Sequence, residues 1–465
     1  MGRMSVELEP HPLRARVLAE VHARPFLPVE TPRRVLHYAF ITDGEKSQAD
    51  REALAAFCAS LGLDGPAKGA KHHRVAFSGT VLRWESHSEF TTYSWEFGDP
   101  GVSDAPAPQP FRPAADGLRG VMTLVPQPGP LMVSIDLHLI PAASLPKGPQ
   151  SIFGEAHLAA SDVENGVATV ATDFRTDAHG FVRLLVVDNG MERGQAGALL
   201  QRVLEIETYR TLTLLGLPVA QEIGPSVRKI ETELPLVMSA MERSDGLENN
   251  RQLLDRITRL AAELEAGAAG ALFRFGATRA YADIVRIRLA ALEEKALPGF
   301  DSWSEFLDRR LQPAIRTCSS MEERQANLSR KLTRAAQLLR TRIDIELESQ
   351  NRDLLRAMNE RARIQLRLQQ TVEGLSAAAI TYYISGLILY VLSGLKAAGV
   401  PVEPYIGTAI AVPVVLIGIL LLVQRLRRRH MDEEAAEDAA IREKVARSRA
   451  ASREDEPGDR KEGTR

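Results

Sequence analysis

Apolar positions along this chain change period twice, and each change predicts a different kind of structure. From about residue 33 to residue 190 they alternate or fall in short runs broken by proline and glycine. Val35–Ile41, Phe90–Phe97, Leu131–Ile140, Val167–Asp173 and Phe181–Asp188 read as strands, since period-two alternation turns one set of side chains toward a core. Gln48–Leu61 reads as an amphipathic helix stopped by Gly62, and proline-rich stretches at 104–113, 126–130 and 141–149 connect these elements. After Gly197 the period becomes helical. Ala198–Leu215, Val227–Arg243, Glu248–Ala266 and Arg279–Lys295 are predicted helices, and Ser302 with Glu305 makes a capping box that opens another. From Ala314 to Gln370 no proline or glycine interrupts, and apolar residues recur through Leu328, Leu332, Ala335, Leu339, Ile343, Leu347, Leu354, Met358, Ala362 and Leu366. A helix of about 57 residues spans about 85 Å, too long for one small domain to bury. Partner helices or sister subunits are expected to cover this stalk.

The second change comes at Ala377. From there to Leu395 about nineteen residues carry no charge, enough for a helix of about 28 Å, the thickness of a bilayer's hydrocarbon core. A second uncharged run, Ile406–Val423, follows a connection containing Gly399, Pro401 and Pro404, so the two runs form a hairpin. Arg361, Arg363 and Arg367 precede the first run and Arg425, Arg427, Arg428 and Arg429 attend the end of the second, while the connection carries Lys396 as its one cation. Cation bias of this kind places both termini in the cytoplasm. Met1–Pro12 has no apolar core of a secretory signal, which agrees with that orientation. The fold class expected is α+β. Its parts are an N-terminal segment at 1–32, an α/β cytoplasmic domain at 33–197, a helical bundle at 198–300, the stalk at 301–375, a transmembrane hairpin at 376–424 and a charged cytoplasmic tail at 425–465. The expected partners are a lipid bilayer, that of the inner membrane, and further copies of the chain joined through the stalk.

Composition narrows the function classes. The chain has 465 residues, with 58 Lys and Arg against 60 Asp and Glu, so it lacks the basic excess of a protein that grips nucleic acid. Its two cysteines, Cys58 and Cys318, cannot build a disulfide framework or a thiolate zinc site. No phosphate-binding, zinc-protease or nucleophile-elbow motif occurs. Neither uncharged run contains Asp, Glu, Lys, Arg or His, which disfavours a proton-coupled carrier.

Candidate chemistry therefore rests on small clusters. In Trp84-Glu85-Ser86-His87-Ser88-Glu89-Phe90 an extended strand would point Glu85, His87 and Glu89 to one face, a set able to hold a divalent metal or work as an acid and base. A solvated strand face is the ordinary alternative. His22 and Arg24, the latter held extended before Pro25, offer an imidazole and a guanidinium for a carboxylate or phosphate, or a structural ion pair. Gly190 to Gly197 follows a strand and opens a helix, where backbone amides can cradle phosphate, though the spacing departs from G-x-G-x-x-G. Ala377, Thr381 and Ser385 form a small-residue stripe suited to helix packing. Glu403, in the connection, would make an acidic pore mouth in a symmetric oligomer.

Several stretches resemble, together, a bacterial family of uncharacterised membrane-anchored proteins, domain of unknown function 3422. They are His11-Pro-Leu-Arg, Glu20-Val-His-Ala-Arg-Pro-Phe26, Trp84 to Phe90, Tyr209-Arg, Leu215-Gly-Leu-Pro218, Glu305-Phe-Leu-Asp-Arg-Arg-Leu311, Gln369 to Ser376 and Ile380-Thr-Tyr-Tyr383. The resemblance implies a bacterial membrane protein and brings no activity. The layout is also similar to that of CorA-type magnesium channels, but their Gly-Met-Asn is replaced here by Ser393-Gly-Leu-Lys-Ala-Ala-Gly399. The sequence thus leads to a cytoplasm-facing, membrane-anchored sensing, interaction or scaffold protein. A divalent cation channel and a metal-dependent hydrolase using Glu85, His87 and Glu89 stand as alternatives. No cofactor is indicated beyond a divalent metal at that strand face.

Overall fold

The computed structural model describes residues 11–14, 17–18, 27–98, 110–111, 115–154, 157–399, 401 and 403–425. The chain forms two compact units, Met1–Ile343 and Asp344–Arg465.

The first unit is built on a nine-stranded sheet. Its strands are β1 (Arg33–Ile41), β2 (His72–Phe77), β3 (Thr80–Ser86), β4 (Phe90–Phe97), β5 (Leu131–Pro141), β6 (Ala159–Val163), β7 (Ala168–Thr172), β8 (Val182–Asp188) and β9 (Lys295–Ala296). Their order across the sheet is β2-β3-β4-β1-β5-β8-β7-β6-β9. Neighbours run antiparallel except β5 and β8, which are parallel. The strongly alternating strands stand where the pattern predicts them. β2, β6 and β9 are not announced by it, and β3 is reached only from Trp84 onward, since β2 is half exposed at an edge and β6 and β9 are short.

The faces of the sheet are distinct. Leu36, Tyr38, Phe40, Leu82, Trp84, Tyr93 and Trp95 pack with Leu54 and Cys58 of helix α1 (Gly44–Ser60). On the other face Val35, Ala39, Val133, Ile135, Leu137 and Leu184 meet Leu199, Val203, Leu204 and Ile206 of α2 (Arg193–Thr213). Three longer helices follow: α3 (Gly216–Arg243), α4 (Leu247–Ala290) and α5 (Trp303–Ala397). The two helices expected at 248–266 and 279–295 are one, because Gly267, Gly270 and Gly276 are tolerated in a helix held by tertiary packing. The capping box holds as expected, Ser302 N donating to Glu305 Oε2 and Glu305 N to Ser302 Oγ, both at 3.2 Å.

The helices share cores with the sheet. Tyr281, Val285 and Leu289 of α4 and Trp303, Phe306, Leu307 and Leu311 of α5 join the α2 core. Further along, Leu328, Leu332, Ala335 and Leu339 of α5 are buried against Ile230 and Val237 of α3 and Leu260 and Leu264 of α4. The domain limits expected at 197 and 300 therefore fall inside one compact unit. The stalk's first apolar positions are covered by the chain's own helices.

In the second unit Leu354, Met358 and Leu366 are exposed. α5 continues to Ala397, and α6 (Pro404–Arg425) follows; both contain segments long and apolar enough to cross a membrane. The small-residue stripe Ala377, Thr381 and Ser385 is buried. Gly407 lies at the close approach of the two helices, where a Cβ would fall 2.7 Å from Cδ1 at the movable end of the Leu392 side chain. At the connection Lys396 Nζ meets Glu403 Oε1 at 2.6 Å.

Candidate functional site

Alternation on β3 sends Leu82, Trp84 and Ser86 toward α1 and leaves Arg83 and Glu85 facing α2. Arg83 pairs across with Ser94, Glu85 with Thr92, and Ser94 in turn with His37 of β1. These polar side chains line up on an otherwise apolar face. With Leu204, Thr208 and Tyr209 of α2 they bound a pocket of about 40 Å³.

His37 is fixed at its base. Thr208 Oγ1 gives its proton to the Leu204 carbonyl at 2.8 Å, so at 3.1 Å from His37 Nε2 it can only accept. Nε2 therefore carries the ring proton, and Nδ1 accepts from Ser94 Oγ at 2.8 Å. Burial, followed by the positive charge of Arg83, pushes the imidazole down to about 3, so it is neutral at physiological pH.

The outer wall is Glu85 and His87, whose Oε2 and Nε2 stand 3.6 Å apart. His87 stacks on Phe90 with ring centroids 4.1 Å apart, an edge of Tyr209 beside it. The chain does not stay extended to Glu89 as the alternation argument expects. His87 N donates to the Phe90 carbonyl at 2.8 Å, closing a two-residue turn at Ser88 and Glu89. The Glu89 carboxylate takes both Arg274 guanidinium nitrogens, at 2.7 and 3.1 Å, and the Tyr281 hydroxyl. Glu85 and His87 thus share the pocket while Glu89 is bound into α4, and among the described residues no three His, Cys, Asp or Glu side chains converge as a metal-holding group.

Other candidates are placed apart. His22 and Arg24 lie outside the described residues. His73 turns toward Cys58 of α1, its Nε2 3.8 Å from Sγ. At the glycine turn, Asp188 accepts from Gly190 N at 2.8 Å, Met191 N at 2.7 Å and Thr31 Oγ1 at 2.5 Å, so these amides are engaged internally and not offered to a phosphate. Glu192 and Gln195 cap the helix that follows. Glu403 is held by Lys396. Sequence reasoning misses His37, Ser94, Thr208 and Tyr209 as one site; the sole signal is a histidine interrupting an apolar strand.

What the pocket can do is limited by its size. About 40 Å³ admits water or a small ion, and a carboxylate beside an imidazole can orient such a guest or exchange a proton with it.

A family model described as "Protein of unknown function (DUF3422)" matches residues 9–430, and the chain belongs to that family. No curated protein and no solved structure matches the chain.

Proposed function

We propose that this member of the DUF3422 family is a membrane-anchored protein whose α+β body faces the cytoplasm as a sensing or interaction module. One observation carries the reading: α5 is a single helix that begins inside the core of the body and ends, 95 residues on, in an apolar segment paired with the apolar α6. Such a pair has no stable place in water, because its exposed leucines, isoleucines and valines are those a hydrocarbon core would cover. The arginines at 361, 363 and 367 and at 425 and 427 to 429 favour the cytoplasmic side for both ends of the pair. In this reading the Glu85–His87 pocket is where the body takes up a small polar guest. The test is fractionation of cells carrying the full chain. The protein is expected to stay in the pellet through alkaline carbonate extraction and to resist protease added outside spheroplasts. Release into the supernatant, or digestion of the body from outside, would refute it.

A further inference from the structure

A second pocket, of about 220 Å³, opens on the same sheet face beyond β7. Its floor is apolar, made by Phe174, Phe306, Leu307 and Leu311, and three guanidiniums stand around it, those of Arg175, Arg210 and Arg310. Each comes from a different element: Arg175 from the loop after β7, Arg210 from α2 and Arg310 from the first turns of α5.

The charges do not cancel. Arg210 lies over the Phe174 ring at 5.2 Å and is neutralised by Glu207, its Nε 2.8 Å from Oε2. Asp173 is engaged by Arg183 at 3.5 Å and by the amide of Arg175 at 3.1 Å. Arg310 stacks on the Phe306 ring at 3.6 Å and donates to the Phe306 carbonyl of its own helix at 3.3 Å. Among the described residues neither Arg175 nor Arg310 has a carboxylate partner. Among the described residues of the lining, Arg175 and Arg310 are therefore left without a counter-charge, and the His157 imidazole stands beside them. Like charges gathered over an apolar floor repel one another unless an anion joins them, and each guanidinium offers a planar fork of N–H donors that an oxyanion fits.

The geometry points to a binding site for a small organic oxyanion, a carboxylate or phosphate ester with an apolar body. Its charged head bridges Arg175 and Arg310, and its body lies against Leu214 and the edge of Phe174, the half-buried apolar residues of the lining. The volume is below the ~300 Å³ at which drug-sized sites begin, so the ligand is metabolite-sized. This site is separate from the Glu85–His87 pocket and independent of how the chain is anchored.

Titration of the detergent-solubilised full chain tests it, with phenyl phosphate and phenylacetate as probes and benzyl alcohol as the neutral control. At least one anion is expected to bind and to raise the melting temperature, benzyl alcohol is not, and Arg175→Gln and Arg310→Gln should each weaken the anion by about tenfold or more. Both side chains are exposed, so the variants should melt like the parent without ligand. Failure of both anions, equal binding of benzyl alcohol, or anion binding unchanged in the two variants would overturn the assignment.

Discussion

Glu89 and Arg274 lie 185 residues apart in sequence and form a two-pronged ion pair, at 2.7 and 3.1 Å, that ties the β3–β4 turn to the middle of α4. The Tyr281 hydroxyl adds a third bond to the same carboxylate, and burial, followed by that bond, raises the tyrosine well above its ordinary value. Glu89→Gln leaves a mostly buried guanidinium without its counter-charge. It should destabilise the body by about 2–3 kcal/mol, somewhat below the cost of breaking a fully buried pair because Arg274 keeps some contact with water. Trp84, Trp95 and Trp303 are all buried in this unit, so denaturant unfolding followed by tryptophan fluorescence reads the change. An unchanged midpoint would refute the tie.

His37 makes stability depend on pH in a definite direction. Its ordinary value of 6.5 applies in the unfolded chain and about 3 in the folded one, so between these the unfolded state holds the extra proton. The contribution of His37 is thus complete above about pH 6.5 and declines by about 1.4 kcal/mol per pH unit as pH falls toward 3. His37→Gln should lower stability at about pH 8, where it disturbs the bonds to Ser94 and Thr208, yet flatten the decline toward about pH 5. Parallel slopes for variant and parent would show that His37 is not the group responsible.

Gly197 allows the chain at Leu27 to cross α2. A Cβ there would fall 1.8 Å from the Leu27 carbonyl oxygen, and the crossing segment is pinned nearby by Val29 N donating to the Arg193 carbonyl at 2.9 Å. Backbone cannot swing aside as a side chain does, so Gly197→Ala should cost about 3 kcal/mol, the upper end of overpacking penalties. Gly194, three residues earlier, has open space around it, and Gly194→Ala should stabilise by about 0.5–1 kcal/mol. Equal effects of the two substitutions in thermal melts would contradict the crossing.

Leu354 and Met358 sit one turn apart on α5, each more than half exposed, beyond the part of the helix that α3 and α4 cover. If sister copies bury this stripe, Leu354→Glu with Met358→Glu should reduce the mass of the particle in mild detergent to that of one chain. A parent protein that is already monomeric under those conditions would remove the self-association expected of the stalk.

What the sequence determined by itself is local. Alternation marks the strong strands, the unbroken apolar ladder marks α5, Ser302 and Glu305 mark its start, and two uncharged runs around Gly399, Pro401 and Pro404 mark the apolar pair. In each case the signal and the structure it predicts lie within a few turns of one another, and periodicity reports which face must leave water. Tertiary structure decided where polar groups spend their hydrogen bonds. It turned the chain at Ser88 and Glu89, so that Glu85 and His87 stayed together while Glu89 went to Arg274. It committed the Gly190 and Met191 amides to Asp188, placed His37 between Ser94 and Thr208, and gathered Arg175, Arg210 and Arg310 from three elements. Those outcomes depend on strand register and on which helix crosses which strand, and a one-residue slip in register would exchange the faces of every side chain involved.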